Sequence, residues 1–501
     1  MELTKTNLNW SRLLLDSQRT YEESSDAIVP DTFPDILRIS ASYGTVQLKD
    51  DAPQTGRVLI SGTVPVTVLY VPEGGGLRRL TVPISFAHIE ECPGISEESQ
   101  LFVTCQVVST DASVMNSRKL AVNAILSIRC SVFLPEQVTL TNGIDSPDSS
   151  LELLSSSHTV TVPAAVQRRE FTMMDDLALP ELDRFAELFA PRGDLCTTEC
   201  RILNGKAVLK GECLLHLLGL TQDGELDHID CAMPFTQIFE APDFKESQQI
   251  AVRFSLRHLD AEKGEDGQLS VGIGINLLLT AFSTQTIQSI DDIYHLQYPV
   301  HVETDTIELP ACHPMSEFGC EGSETIPVGM KVVSVADVRA VPDTVLQDGD
   351  RFSLRMMASI LYRSDDGEYY SINRAIHMPL RLPDGTGKVQ VTGIVCRASA
   401  TVSGENSVVL SLSGRCALLC EEPLRLSDIR QLTVDTASAP EHPSPVSLIL
   451  RYVDQEERLW DIAKHYRTTV DAIRQANQIG VDCQSAASQM LLIPVRVQSR
   501  R

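Results

Sequence analysis

The chain has 501 residues, with 42 Lys and Arg against 67 Asp and Glu, a formal charge of −25. Its length suggests about three domains, and hydrophobic residues at 43% with charged residues at 22% describe a chain that builds buried cores rather than a disordered acidic one. So negative a chain repels phosphate backbones and anionic lipids, which speaks against nucleic-acid partners and against a polybasic membrane anchor.

The first residues lack a basic stretch followed by an apolar one, so no secretory signal is expected. Residues 1–28 form an N-terminal segment in which Trp10, Leu13 and Leu14 look helical, set either to dock on the first β-domain or to bind another protein. From there the dominant signal is alternation with period two, the mark of half-buried strands. Residues 58–70 form a strand, Pro72-Glu73-Gly74-Gly75-Gly76 a turn, and 80–86 the return strand. A long alternating strand follows, with Leu120, Val122, Ala124, Leu126, Ile128, Cys130 and Val132 on one face.

The same unit recurs twice. Residues 207–219 and 229–239 flank Gln222-Asp223-Gly224, and the long strand carries Leu269, Val271, Ile273, Ile275, Leu277 and Leu279. Residues 352–362 and 369–382 flank Asp365-Asp366-Gly367, and the long strand carries Val408, Leu410, Leu412, Cys416 and Leu418. Each return strand holds a proline, Pro83, Pro234 or Pro379, which places it at a sheet edge or a bulge. Polar joints are expected at 145–150 and 311–323, and a Pro/Ser/Ala-rich linker, extended and mobile, at 436–445. The uncharged run 267–290 is interrupted by Ser270, Asn276, Thr280 and further polar residues, so membrane insertion is not expected.

The fold class is therefore mostly β, with three tandem β-sandwich or barrel-like domains at 29–150, 165–310 and 325–432. A linker at 433–447 leads to a small strand–helix–helix–strand module at 448–496. There Leu459, Ile462, Ala463 and Tyr466 mark one helix face, Thr468 or Thr469 caps a second helix, and residues 490–495 close as a strand.

This module resembles the LysM domain through Leu459-Trp460-Asp461-Ile462-Ala463-Lys464-His465-Tyr466, Thr469-Val470-Asp471-Ala472-Ile473, Ala476-Asn477 and the closing Leu491-Leu492-Ile493-Pro494-Val495. It departs where the family has Gly-Asp-Thr or Gly-Asp-Ser before the leucine. Glu456, Glu457 and Arg458 stand there, in a loop that forms part of the N-acetylglucosamine groove of glycan-binding members. The front, Val29-Pro30-Asp31-Thr32-Phe33-Pro34-Asp35-Ile36 with Ser117-Arg118-Lys119-Leu120, resembles the SPOCS domain of sporulation proteins. A diverged copy of its opening stands at Leu179-Pro180-Glu181-Leu182-Asp183-Arg184-Phe185.

SPOCS repeats followed by one LysM resemble the SipL-like sporulation proteins. The resemblance implies a non-enzymatic assembly factor in the mother-cell cytoplasm, at the outer forespore surface. Its partners would be the spore-coat morphogenetic ATPase, bound mainly through LysM, and other coat proteins. A peptidoglycan or N-acetylglucosamine binder is the alternative. The expected contact residues are Glu456, Glu457, Arg458, Trp460, Asn477, Gln478 and Ile479.

Catalytic and cofactor motifs are not found. Gly385-Thr386-Gly387-Lys388 ends like a phosphate loop, but Leu382 replaces its first glycine. Gly272-Ile273-Gly274 lies within a strand and reads as a close backbone approach or a bulge. Cys196/Cys200 and Cys416/Cys420 would be about 13 Å apart on strands, too far to share one zinc. The 11 histidines are dispersed with none paired at ligand spacing, and Asp291-Asp292 and Asp365-Asp366 read as solvated loop residues. No cofactor or metal is expected. The 13 cysteines, odd in number and scattered, point to a reducing, cytoplasmic setting. Residues 446–501 hold eight Lys and Arg against six Asp and Glu, so the acidity belongs to the β-repeats. They read as an anionic, self-repelling spacer behind a slightly basic recognition module.

Overall fold

The computed structural model describes residues 2–145, 148–264, 267–309, 311–315, 318–349, 351–382, 388–438, 446–453 and 455–495. The phosphate-loop-like Gly385-Thr386-Gly387 and most of the 436–445 linker lie outside these residues.

The first unit comprises β1 (Glu2–Ile28), β2 (Ile36–Gly44), β3 (Gln47–Gln54), β4 (Arg57–Pro72), β5 (Arg78–Glu91), β6 (Gln100–Asn116) and β7 (Lys119–Asp145). β1–β7–β6 form one sheet; β4, flanked by β2 and β3 on one side and β5 on the other, forms the second. Their inner faces close a single core from Val58, Ile60, Val66, Ile84, Val103 and the predicted stripe Leu120–Val132. Two faces of alternating apolar residues can only be covered by stacking sheets, and a sandwich results.

Residues 2–28 are not helical. β1 runs antiparallel along β7 from Glu2↔Asp145 to Ile28↔Lys119. The three consecutive leucines behind the helical reading sit at a register shift between Leu13 and Leu15, where a bulge breaks the period of two.

The second unit repeats this plan with β8 (Leu151–Leu177), β9 (Phe185–Leu203), β10 (Lys206–Thr221), β11 (Leu226–Glu240), β12 (Gln249–Lys263) and β13 (Leu269–His295). Its sheets are β12–β13–β8 and β11–β10–β9. The third has β14 (Val300–Leu309), β15 (Cys312–Pro314), β16 (Phe318–Pro327), β17 (Val332–Asp348), β18 (Arg351–Ser364), β19 (Tyr369–Leu380), β20 (Lys388–Ser403), β21 (Ser407–Glu421) and β22 (Leu424–Val434). Here the long ribbon is broken in two: β15 and β16 follow each other along β21, and β14 pairs with β22. The described residues of the joint expected at 311–323 are thus largely strand. Its apolar residues are few because β16 lies along an edge and turns only residues such as Cys320 and Ile326 inward.

The three return strands β5, β11 and β19 lie at sheet edges, where Pro83, Pro234 and Pro379 leave no central donor missing. Gly62 pairs with Phe86 and Gly211 with Phe235, the same device in two units. A Cβ on either glycine would stand 2.5 Å from a carbonyl oxygen of the neighbouring strand and against the phenylalanine ring. Gly274 lies beneath the His258 ring, so the close approach at this glycine comes from a side chain rather than from backbone, and the bulge lies on the partner strand at Leu256/His258.

The opening motif is stitched by Arg118. Its guanidinium donates to the carbonyls of Phe33 at 2.7 Å and of Val29 and Pro30 at 3.0 Å, and pairs with Asp35. In the second unit Lys263 does the same work, donating to the carbonyls of Leu182 and Phe185 around the diverged copy.

The units lean on one another. Ala41, Tyr43 and Leu69 of the first, Phe189, Leu218 and Leu226 of the second, and Leu361 and Tyr369 of the third share one apolar cluster. Leu8, Trp10 and Leu140 meet Val160, Val162, Ile287, Leu309 and Leu426 in another. Trp10 is thus docked across units.

Two further readings change. The histidines do not all stay apart, since His216 and His228 stack at 4.9 Å across the β10–β11 hairpin. Asp291 and Asp292 lie within β13 rather than in a loop. The cysteines are free, and both CxxxC pairs lie on strands. No helix among the described residues is long and apolar enough to cross a membrane.

Candidate interaction site

The C-terminal module consists of β23 (Leu448–Val453), β24 (Glu457–Arg458), α1 (Leu459–Tyr466), α2 (Val470–Asn477), β25 (Ser485–Ala486) and β26 (Gln489–Pro494). Thr469 caps α2 by accepting from the Ala472 N–H at 3.0 Å, and Arg467 and Gln478 end the helices in the left-handed region. Val453, Leu459, Ile462, Ala463, Ile473, Leu491 and Ile493 are buried together.

The expected contact residues separate into three groups. Glu456, Glu457 and Arg458 are each held internally. Glu456 accepts from the Ser485 hydroxyl at 2.7 Å, Glu457 pairs with Arg451 at 2.8 Å, and Arg458 forms a two-point pair with Asp461. Through β24–β25 pairing this loop is zipped to residues 485–486. Asn477 bridges α2 to β26: its amide donates to the Ile473 and Leu492 carbonyls and accepts from the Leu492 N–H. Gln478 beside it is exposed, and Ile479 packs partly against the module's core.

Trp460 forms the third group, and its partner lies within the chain. The ring is 7% exposed, its Nε1–H donates to Asp292 at 2.8 Å, and it meets Tyr294 edge-on at 4.8 Å. Lys464 pairs with the same carboxylate, its ammonium 2.6 Å from Asp292. The Tyr294 hydroxyl donates to the Thr468 carbonyl at 2.7 Å, and Arg467 donates to the His295 carbonyl. The module is therefore seated on the end of the second unit's long ribbon. Burial pushes the Asp292 carboxyl up, but the Lys464 and Trp460 donors prevail and hold it below the usual carboxylate range.

With α1 turned inward, the outer face of the β23–β26 ladder is one side of the module left exposed among the described residues. Leu450 opposes Leu492 and Tyr452 opposes Met490, with Leu448 beside Pro494. Leu448, Leu450, Tyr452 and Met490 are each more than half exposed. A strand of period two should be apolar on one face; β23 and β26 are apolar on both. That double alternation is the sequence signal for the patch, and contiguous exposed apolar surface is what interaction sites present.

Comparison with known families gives two matches. The SipL, SPOCS domain family matches residues 35–115, and the LysM domain family matches residues 452–488. A search of curated proteins and a search of solved structures each returned no match.

Proposed function

A chain that carries a SipL SPOCS domain and a C-terminal LysM domain has the make-up of SipL-like sporulation proteins, and from that premise we propose that it assembles the spore coat without catalysing a reaction. It binds the coat-basement morphogenetic ATPase at the outer forespore surface, mainly through its LysM domain. The observation that supports this reading is the apolar outer face of the β23–β26 ladder, presented on a module whose other side is fixed to the β-body. Both families matched are binding rather than catalytic domains. The slight positive charge of residues 446–501 suits an acidic partner.

The test is Leu450→Asp combined with Tyr452→Asp in the full chain. Both side chains point away from the module's core, so folding is retained and circular dichroism stays unchanged. Affinity for the purified ATPase falls at least tenfold by calorimetry, and the protein no longer gathers at the forespore. Unchanged affinity in the folded variant would move the contact off this face. The LysM match also favours a second reading, binding to peptidoglycan. Retention of the full chain on purified peptidoglycan, lost on opening the Glu456–Ser485 and Arg451–Glu457 contacts, would support it.

A further inference from the structure

We propose that His216, His228 and Asp230 form a binding site for a divalent transition metal of the zinc class, on the wall of a cavity between the three β-units. The hairpin creates the site. His216 on β10 lies directly opposite Asp230 on β11, and His228 is two residues before Asp230, so all three side chains share one face. Their donor atoms lie within 4.8 Å of one another. Tetrahedral ligands at about 2.1 Å from zinc stand roughly 3.4 Å apart, so modest side-chain rotation closes the set. Two imidazoles and a carboxylate are donors that zinc, cobalt and nickel accept, and three protein ligands leave one position open.

A second observation, from a different unit, supports the site. Asp337 of β17 is buried, and its Oδ1 lies 2.9 Å from His216 Nε2. The same oxygen takes the Arg192 guanidinium at 2.8 Å. Nε2 makes no aligned hydrogen bond as it stands, and the ring rotation that closes the ligand set would bring it into line with this carboxylate, keeping the proton there and leaving the near nitrogen free for the metal. Here the near nitrogen, Nδ1, is the one facing Asp230, at 2.6 Å. His228 and Asp230 are partly open, and the cavity they border, about 1640 Å³, provides a path for the ion. The scaffold is rigid, because two hydrogen-bonded strands fix all three ligand positions.

The site links two units, since its ligands belong to the second and its backing carboxylate to the third. Bound metal would then tighten their junction. Full-length protein stripped with chelator and titrated with Co²⁺ should bind one equivalent, with the visible bands of nitrogen and oxygen ligation, and Zn²⁺ should displace it. His228→Gln and Asp230→Asn, both at partly exposed positions and expected to fold, should each weaken binding at least tenfold. Asp337→Asn should weaken it by about 10- to 100-fold through His216 alone. Saturating Zn²⁺ should raise the melting temperature of the natural chain and not of a variant carrying both His228→Gln and Asp230→Asn. The structure also holds 13 free cysteines. A cobalt–thiolate charge-transfer band, or binding undiminished in the folded variants, would overturn the proposal. So would absence of binding.

Discussion

Asp292 shows how much one carboxylate can join. It accepts from Trp460 and pairs with Lys464, and so ties the C-terminal module to β13 across 168 and 172 residues of chain. Its folded-state pKa lies below the ordinary value, so its contribution is present above the ordinary carboxylate range and fades as pH falls through the lower folded value. Asp292→Asn should therefore cost about 1 kcal/mol at pH 7, a modest figure because both side chains are partly open to solvent. Denaturation curves of the two proteins should differ at pH 7 and converge as pH falls below the ordinary carboxylate range. A constant difference across that range would remove the ionic account. Trp460→Ala should cost more, about 3 kcal/mol, through the lost contact with Tyr294. At this scale the sequence was only half readable. Trp460 stood off the apolar stripe of α1, which marked it as facing something else. Nothing near Asp291-Asp292 in the chain could name the donors that Asp292 meets. His216 and His228 were readable in principle, because pairing the hairpin about Asp223 sets His216 against Asp230 and Leu218 against His228.

Elements repeat with little change while their residues drift. The first strands begin at residues 2, 151 and 300, and the first two each pair over their whole length with the long strand that ends the unit. Alternation made the hairpins and long strands legible, because a one-residue slip would expose an entire apolar face. It failed where the period is broken: at the Leu13/Leu15 bulge, and in β16, where apolar residues are sparse. The glycines offer a matched test of the packing. Gly62→Ala forces a Cβ against the Gln47 carbonyl and the Phe86 ring and should destabilise by about 1–3 kcal/mol in urea denaturation. Gly272→Ala, on β13 with nothing within 4 Å of its Cβ, should be neutral or slightly stabilising. Equal effects at the two sites would mean that the close approach at Gly62 does not govern the strand.

At the scale of the molecule, the charge takes on a different meaning. A net charge of −25 spread over tandem domains suggests mutual repulsion, yet the units are joined by the carboxylates themselves. Asp51 of the first unit, buried, pairs with Arg168 at 2.7 Å and Arg257 at 2.9 Å of the second, and Asp337 of the third pairs with Arg192 of the second. Buried pairs of this kind fix geometry more than they add stability. The attraction comes from the two shared apolar clusters, which the sequence could not reveal because their residues lie on the outer, nominally polar, faces of separate sheets. Domains held only by polar contacts move freely, and those with a continuous apolar interface do not. The three units should therefore unfold together. Tyr369 is the residue on which to test this. It lies in the shared cluster rather than in the third unit's own core, and its hydroxyl bridges Glu225 at 2.9 Å and the Leu226 N–H at 3.1 Å. Tyr369→Ala should leave the third unit's core intact while loosening its seat, by about 3 kcal/mol for a buried aromatic. Calorimetry should then show the single transition of the natural chain split, with one part moved to lower temperature. Small-angle scattering should show a larger radius of gyration before that first transition ends. A single transition shifted as a whole would mean that the second cluster, around Trp10, suffices to hold the three units as one.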